Sequence, residues 1–217
     1  MNIACITYRD WAVDIYEKIH SVYNEKHNFL IWKNKAEFDE IKLLDFKPDL
    51  ILWYGWSWIV KDHFVNDFVS IMLHPSPLPK YRGGSPIQNQ IINGEKISAV
   101  TLFRMNDGID KGDIFQQLPM SLEGSLEDIF NRISSLGFAA TCNIIDGRYK
   151  LTIQDDAKAT YFKRRSIEDS EITLDEFIEK PGEYLYNKIR MLADPYPNAY
   201  FTTVDGRKLI FKDVKIL

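Results

Sequence analysis

Four short apolar runs divide the first third of the chain, and each is followed by a helical stripe or a turn. Asn2 to Thr7 (NIACIT) reads as a buried strand. From Trp11 to Tyr23 the apolar positions Trp11, Ile15, Ile19 and Val22 recur on one helical face, with Glu17 and Lys18 off it. Phe29 to Trp32 is a second strand. Ala36 to Phe46 has helical spacing, with Phe38, Ile41, Leu43 and Leu44 toward the core, and Lys47-Pro48-Asp49 breaks it. Leu50 to Tyr54 and Val69 to Leu73 are further apolar strands. This β-α-β-α-β rhythm predicts an α/β fold, a doubly wound, mostly parallel sheet with right-handed crossovers. No GxGxxG follows the first strand, so the dinucleotide-binding fingerprint is absent.

Further on, Pro86 to Asn93 reads as a short helix with Pro86 in its first turn, Ser85 as its cap and Gly94 as its stop. Ser98 to Arg104 is a β-branched strand, Asn106-Asp107-Gly108 a turn, and Ile114 to Leu118 a strand closed by Pro119. Ser125 to Asp146 is the longest helical pattern, and Gly147 stops it. After about residue 150 the texture changes. Residues 155 to 171 are polar and charged and read as an extended connection. Leu174 to Leu192 contains a helix stopped by Pro195-Tyr196-Pro197. Tyr200 to Val204 and Lys208 to Val214 flank Asp205-Gly206, a hairpin signal. The expected organisation is a catalytic domain over 1–150, then a linker and a small C-terminal helix-plus-β-hairpin appendage over 151–217.

Composition narrows the function. The 217 residues are 45% hydrophobic with a formal net charge of −4. That balance lacks the broad basic field of nucleic-acid binders but leaves room for a local basic pocket. Cys5 and Cys142 sit in apolar segments without metal-ligand spacing, as buried small hydrophobes in a reducing compartment. The N-terminus has no basic leader, and no run approaches ~20 apolar residues. A soluble, cytoplasmic protein with no membrane association and no metal follows.

In doubly wound sheets, ligands bind beyond the carboxyl ends of the strands. Three loops are expected there: Tyr8 to Trp11, Gly55 to Val60, and His74 onward. The second, GWSWIV, offers Trp56 and Trp58 as a platform for a flat ligand, with packing against the next helix as the alternative. His20, His27 and His63 lie in polar surroundings and read as solvated. His74 follows an apolar strand and opens a stiff Pro-Ser-Pro loop. Asp107 and Asp110 lie in NDGIDKGD, which reads either as a solvated turn or as a partner for that histidine. A His and an Asp at neighbouring strand ends make an acid/base pair, because the carboxylate orients the imidazole and holds its charged form.

HPSPLPKYRGGSPI followed by GIDKGDI resembles the folate-dependent formyltransferases: the methionyl-tRNA, glycinamide ribonucleotide and sugar N-formyltransferases. His74 matches the family histidine, Asp110 its aspartate, and Leu78 to Gly83 its loop. ATYFKRRSIEDSEI and IRMLADPYPNAYF resemble the segment after the catalytic domain in sugar formyltransferases. The resemblance implies that His74 and Asp110 catalyse formyl transfer from N10-formyltetrahydrofolate to an amine. It implies a pterin held by Trp56, Ser57, Trp58 and Ile59 on one side and the backbone of Asn106, Asp107, Gly108 and Ile109 on the other.

One position departs from the family. Two residues before the histidine the family carries an Asn; here it is Met72, which has no hydrogen to donate. Gln88 or Asn89 substitutes for it, or the chain belongs to a subgroup that works without it, or catalysis is weak. RGGSPIQNQI and SLEGSLEDIFNRI resemble formyltransferase-like proteins of bacterial nonulosonic and amino-sugar synthesis. The expected acceptor is therefore a nucleotide-linked amino-dideoxy sugar of lipopolysaccharide or surface-glycan biosynthesis, with no nucleic-acid partner. The basic β-barrel of the tRNA-modifying members is not seen, and the net charge is negative. Arg9, Lys80 and Arg82 are candidates for its phosphates, with Ser76, Gly83 and Gly84 of the same loop beside them; a solvated charge or a structural loop anchor is the alternative for each, the anchor above all for Arg82 inside the rigid motif. A formyltetrahydrofolate hydrolase and a folate- or nucleotide-sugar-binding homologue of weak activity are the alternatives. The tail aromatics Tyr196, Tyr200 and Phe201 suggest a homodimer, with packing against the domain as the alternative.

Overall fold

Hydrophobic strands too short to be helices form the centre of the computed structural model, which describes residues 1–216. In chain order the elements are β1 (Asn2–Ile6), α1 (Asp10–Tyr23), β2 (Asn28–Trp32), α2 (Glu40–Phe46), β3 (Leu50–Leu52), α3 (Asp62–Asn66) and β4 (Ser70–His74). Then come β5 (Arg82–Gly83), α4 (Pro86–Ile92), β6 (Ile97–Arg104), β7 (Ile114–Ser121) and α5 (Leu126–Ile145). The tail holds β8 (Tyr161–Phe162), α6 (Leu174–Glu179), α7 (Gly182–Arg190), β9 (Tyr200–Thr202) and β10 (Lys208–Ile210).

Six strands form one sheet in the order β2-β1-β3-β4-β6-β7. β1 to β4 pair in parallel, while β6 runs antiparallel to both β4 and β7. Helices cover both faces, as the doubly wound pattern requires. One core gathers α1, α4 and α5 through residues such as Ile15, Ile87, Ile129 and Ile133. The other lies under α2 and α3 and holds Leu43, Trp53 and Phe64. Ile172, Ile189, Met191 and Leu192 from the tail are buried in the first core. The apolar runs of β1 and β3 are buried almost throughout because an inner parallel strand has helices on both sides, whereas the edge strand β2 is mostly half-buried.

Several expectations shift. On α1 the buried stripe is Ala12, Ile15, Tyr16, Ile19 and Tyr23, while Val22 is exposed. The two tyrosines take that face because their hydroxyls find partners there: Tyr16 bonds the buried Ile6 and Leu52 carbonyls, and Tyr23 bonds Asp146 at the surface. The expected helix from Ala36 to Phe46 is a 3₁₀ turn at Lys35–Glu37 followed by α2. Asn34 and Asp39 each cap a separate start, and such side-chain bonds compete with one continuous helix. Only Leu43 of α2 is buried; Ile41 and Leu44 are exposed. Ser85 has φ +50 and does not cap α4; its hydroxyl accepts from the Arg165 backbone at 3.0 Å. β7 continues through Pro119, which an edge strand tolerates. Within 174–192 the best helical stretch, Glu183 to Met191, is α7, and Pro181 separates it from the shorter α6. Ser125 caps α5 in a reciprocal box with Asp128. Among the described residues, no helix is long and apolar enough to cross a membrane.

Candidate active site at the carboxyl end of the sheet

β4 ends on His74, which is 6% exposed. Its Nε2 lies 2.8 Å from the Tyr81 carbonyl oxygen. A carbonyl only accepts, so the ring proton sits on Nε2 and the neutral ring keeps its lone pair on Nδ1. That Nδ1 stands 3.6 Å from Asp110 Oδ2, outside hydrogen-bond distance but close enough to pair with a proton once gained.

Asp110 is itself held in place. Its backbone is left-handed, φ +51, and its Oδ2 accepts the Gly83 N–H at 2.8 Å. Gly83 has φ +94, and a Cβ there would sit 2.3 Å from the Phe162 carbonyl oxygen. Only glycine allows β5 to pair this closely with β8 while aiming its N–H at Asp110. From the other side, the Gln154 amide nitrogen donates to the carbonyls of Asp110 at 2.9 Å and Gly112 at 2.7 Å.

Two cavities adjoin this pair. The larger, about 320 Å³, is lined by His74, Asp110, Met72 and Gln88 and bordered by Arg9, Arg164 and Arg165. The second, about 250 Å³, is lined by Trp58, Val65, Phe103 and the turn from Asn106 to Ile109. Met72 and Asp110 line both, so Asp110 sits where the cavities meet, with His74 beside it on the first.

The residues singled out from sequence divide accordingly. Trp58, Ile59, Asn106, Asp107, Gly108 and Ile109 line the second cavity, and Trp56 and Ser57 the first. The Trp56 ring packs against Phe38, Trp53 and Trp58, so it belongs largely to the lower core. Trp58 is 39% exposed and carries the Lys35 ammonium 4.4 Å from its ring centre. Ser57 bonds the Tyr8 hydroxyl. Asn106 accepts the Gly108 N–H at 3.0 Å, which fixes the turn.

Arg9 lines the first cavity, its guanidinium 4.6 Å from the Tyr8 ring and 5.5 Å from that of Tyr196. Gly83 and Gly84 line it too. Three of the expected acceptor contacts lie elsewhere. Ser76 is fully buried and donates to the Lys80 carbonyl. Lys80 is exposed and lines neither cavity. Arg82 is fully buried, with Gln154, Asp156 and Tyr161 as its partners. A fully buried guanidinium with four of its five N–H donors bonded inside the fold anchors the loop and lines neither cavity.

Sequence reasoning missed Gln154, Arg164 and Arg165, all beyond residue 150. The Lys163-Arg164-Arg165 run was the available signal, but a charge run in a polar stretch reads as solvated surface. The tail aromatics pack within the chain: Tyr196 near Phe130, and Phe201 against Phe177.

A family model described as formyl transferase matches residues 14–144. Methionyl-tRNA formyltransferase of Bacillus velezensis is 33% identical over 185 residues, 82% of this chain and 56% of that protein. The chain therefore spans little more than half the length of this relative. Among solved structures, methionyl-tRNA formyltransferase from Clostridium thermocellum superposes with a TM-score of 0.86 at 32% identity, covering 100% of this chain and 99% of that one. A sugar N-formyltransferase from a Shewanella species reaches 0.80 at 18% identity over 100% of this chain and 98% of that one, a likeness of fold alone. These findings overturn the nucleotide-linked amino sugar as acceptor, its place in surface-glycan synthesis, and the exclusion of a nucleic-acid partner. The net charge misled because it averages over the surface, whereas Arg9, Arg164 and Arg165 gather at one cavity and form no ion pair among the described residues.

Proposed function

The chain belongs to the formyl transferase family, and from that premise we propose that it transfers a formyl group from N10-formyltetrahydrofolate to the α-amine of methionyl-tRNA. The acceptor rests on the names of the relatives that are 32–33% identical. The observation that carries the chemistry is the His74–Asp110 pair at the junction of two cavities. A transferase needs its two substrates to meet at one base; here His74 lines the first cavity, and Asp110 beside it lines both.

The second cavity suits the flat, hydrogen-bonding end of a folate. Val65, Met72 and Phe103 are its apolar walls, and the backbone from Asn106 to Ile109 is its polar edge. When bound, the folate supplies the activated formyl carbon. His74 Nδ1 accepts the proton that the attacking amine loses as the new C–N bond forms. Asp110 at 3.6 Å stabilises the resulting imidazolium. His74 then returns the proton to N10 as its bond to the formyl carbon breaks, so no net proton is consumed. Such acid/base placement contributes roughly 10²–10⁴-fold to rate. Arg9, Arg164 and Arg165 are the cations for the phosphates at the acceptor's 3′ end.

The test mixes the purified chain with N10-formyltetrahydrofolate and methionyl-tRNA and follows formyl-methionyl-tRNA. Product is expected, and His74→Ala lowers kcat by about 10²–10⁴-fold. A His74→Ala chain of full activity refutes the mechanism, and a wild-type chain that leaves methionyl-tRNA unformylated refutes the acceptor. Formate released without any acceptor identifies hydrolysis instead.

A further inference from the structure

Three consecutive amides lie on α4, and two of them are committed. Asn89 donates to the Gly84 carbonyl at 2.9 Å. Gln90 donates to the carbonyls of Pro75 and Pro86, both at 2.9 Å, and accepts from Ser98. Gln88 differs. It is 3% exposed, and its amide nitrogen is buried without a hydrogen-bond partner among the described residues. Buried polar groups are nearly always bonded, so an exception on a residue that lines a ligand cavity needs a reason.

The surroundings supply one. Gln88 lines the same cavity as His74, Asp110 and Met72. Two donors beside the pair are already spent: the His74 Nε2 proton on the Tyr81 carbonyl, and the Gly83 N–H on Asp110. Met72, two residues before the base, has only a thioether, which donates nothing. Formyl transfer builds negative charge on the formyl oxygen as the amine attacks, and that charge needs a fixed donor in a dry site.

We propose that Gln88 is a catalytic residue whose side-chain amide donates to the formyl oxygen as charge develops there, the role that Met72 cannot fill. The assignment rests on the formyl-transfer reading. The unbonded amide is then a site feature kept at the expense of stability, with Pro86 starting the helix that carries it.

Gln88→Met tests this, because methionine has similar length and no donor. Loss of the donor is expected to lower kcat about 10²–10³-fold. Acceptor KM stays within about threefold, as for an interaction made only in the transition state. Removing an unbonded buried amide at the same time raises Tm by about 2–4 °C. A Gln88 that merely holds the helix predicts the opposite shift. Unchanged kcat, or a lowered Tm, in Gln88→Met overturns the proposal while wild-type turnover leaves the functional reading intact. A wild-type chain that transfers no formyl group to any amine overturns both.

Discussion

Replacing Arg82 with methionine separates the structural role of this arginine from a substrate-binding one. The guanidinium is fully buried and makes four bonds: to Gln154 Oε1 at 3.2 and 2.8 Å, to Asp156 at 2.7 Å and to the Tyr161 hydroxyl at 2.7 Å. The partners differ in what they lose. Asp156 is 67% exposed at its side chain and Tyr161 is 53% exposed, so both rehydrate. Their combined loss is about 0–1 kcal/mol. Gln154 is 8% exposed, and its oxygen stays buried with no donor, at about 1–3 kcal/mol. With a smaller packing loss, Arg82→Met destabilises by roughly 2–4 kcal/mol, or about 5–10 °C in Tm for a chain of this length. Activity falls as well, because Gln154 also holds the backbone carbonyls of Asp110 and Gly112. The loss is in kcat, with acceptor KM within about threefold. Calorimetry and steady-state kinetics on the same preparation check both. A Tm within about 1 °C of wild type, with KM raised about tenfold, refutes the structural assignment and returns Arg82 to the acceptor.

Two further outcomes follow from buried polar contacts. The Tyr16 hydroxyl donates to the Leu52 carbonyl at 2.7 Å and accepts the Tyr54 N–H at 2.9 Å, joining α1 to β3. Tyr16→Phe strands that buried N–H and costs about 1–3 kcal/mol in urea unfolding with an unchanged m-value; a change below about 0.5 kcal/mol refutes it. Burial raises the Glu176 carboxyl, but its bonds to Lys188 Nζ at 2.7–2.8 Å, the Thr173 N–H and the Tyr184 hydroxyl outweigh that and hold it below its ordinary value of 4.5. A depressed carboxylate stabilises the fold fully above its unfolded value and loses that contribution as pH falls through the folded one. Stability therefore declines below pH 4.5, and Lys188→Met flattens the decline; an equal slope in wild type and variant rules out this pair as its source.

Periodicity made most of the fold legible, because a strand buried on both faces must be apolar throughout and a covering helix must carry a stripe. It erred where polar atoms decide. The Tyr16 and Tyr23 hydroxyls turned α1 away from Val22, and two side-chain caps split the helix expected from Ala36 to Phe46. The same limit applies at the site. A strand end and a stiff loop are local signals, and they located His74. Whether an arginine binds a ligand or a neighbour depends on groups dozens of residues away, and for that reason the sequence left Arg82 open between a phosphate contact and a loop anchor.

The sequence by itself determined the parallel sheet, the strand end that carries His74, the acidic turn that carries Asp110, and the methionine at position 72. Each follows from local pattern, where short-range sterics and hydrophobic spacing leave few alternatives. Only the tertiary structure decided what closes the site. It brought Gln154 onto Asp110, set Arg164 and Arg165 beside Arg9, buried Arg82, and left the amide nitrogen of Gln88, a residue lining the cavity of His74, without a partner among the described residues. Those outcomes depend on which polar groups find partners across the fold, a condition satisfied in three dimensions and unmarked in the order of residues.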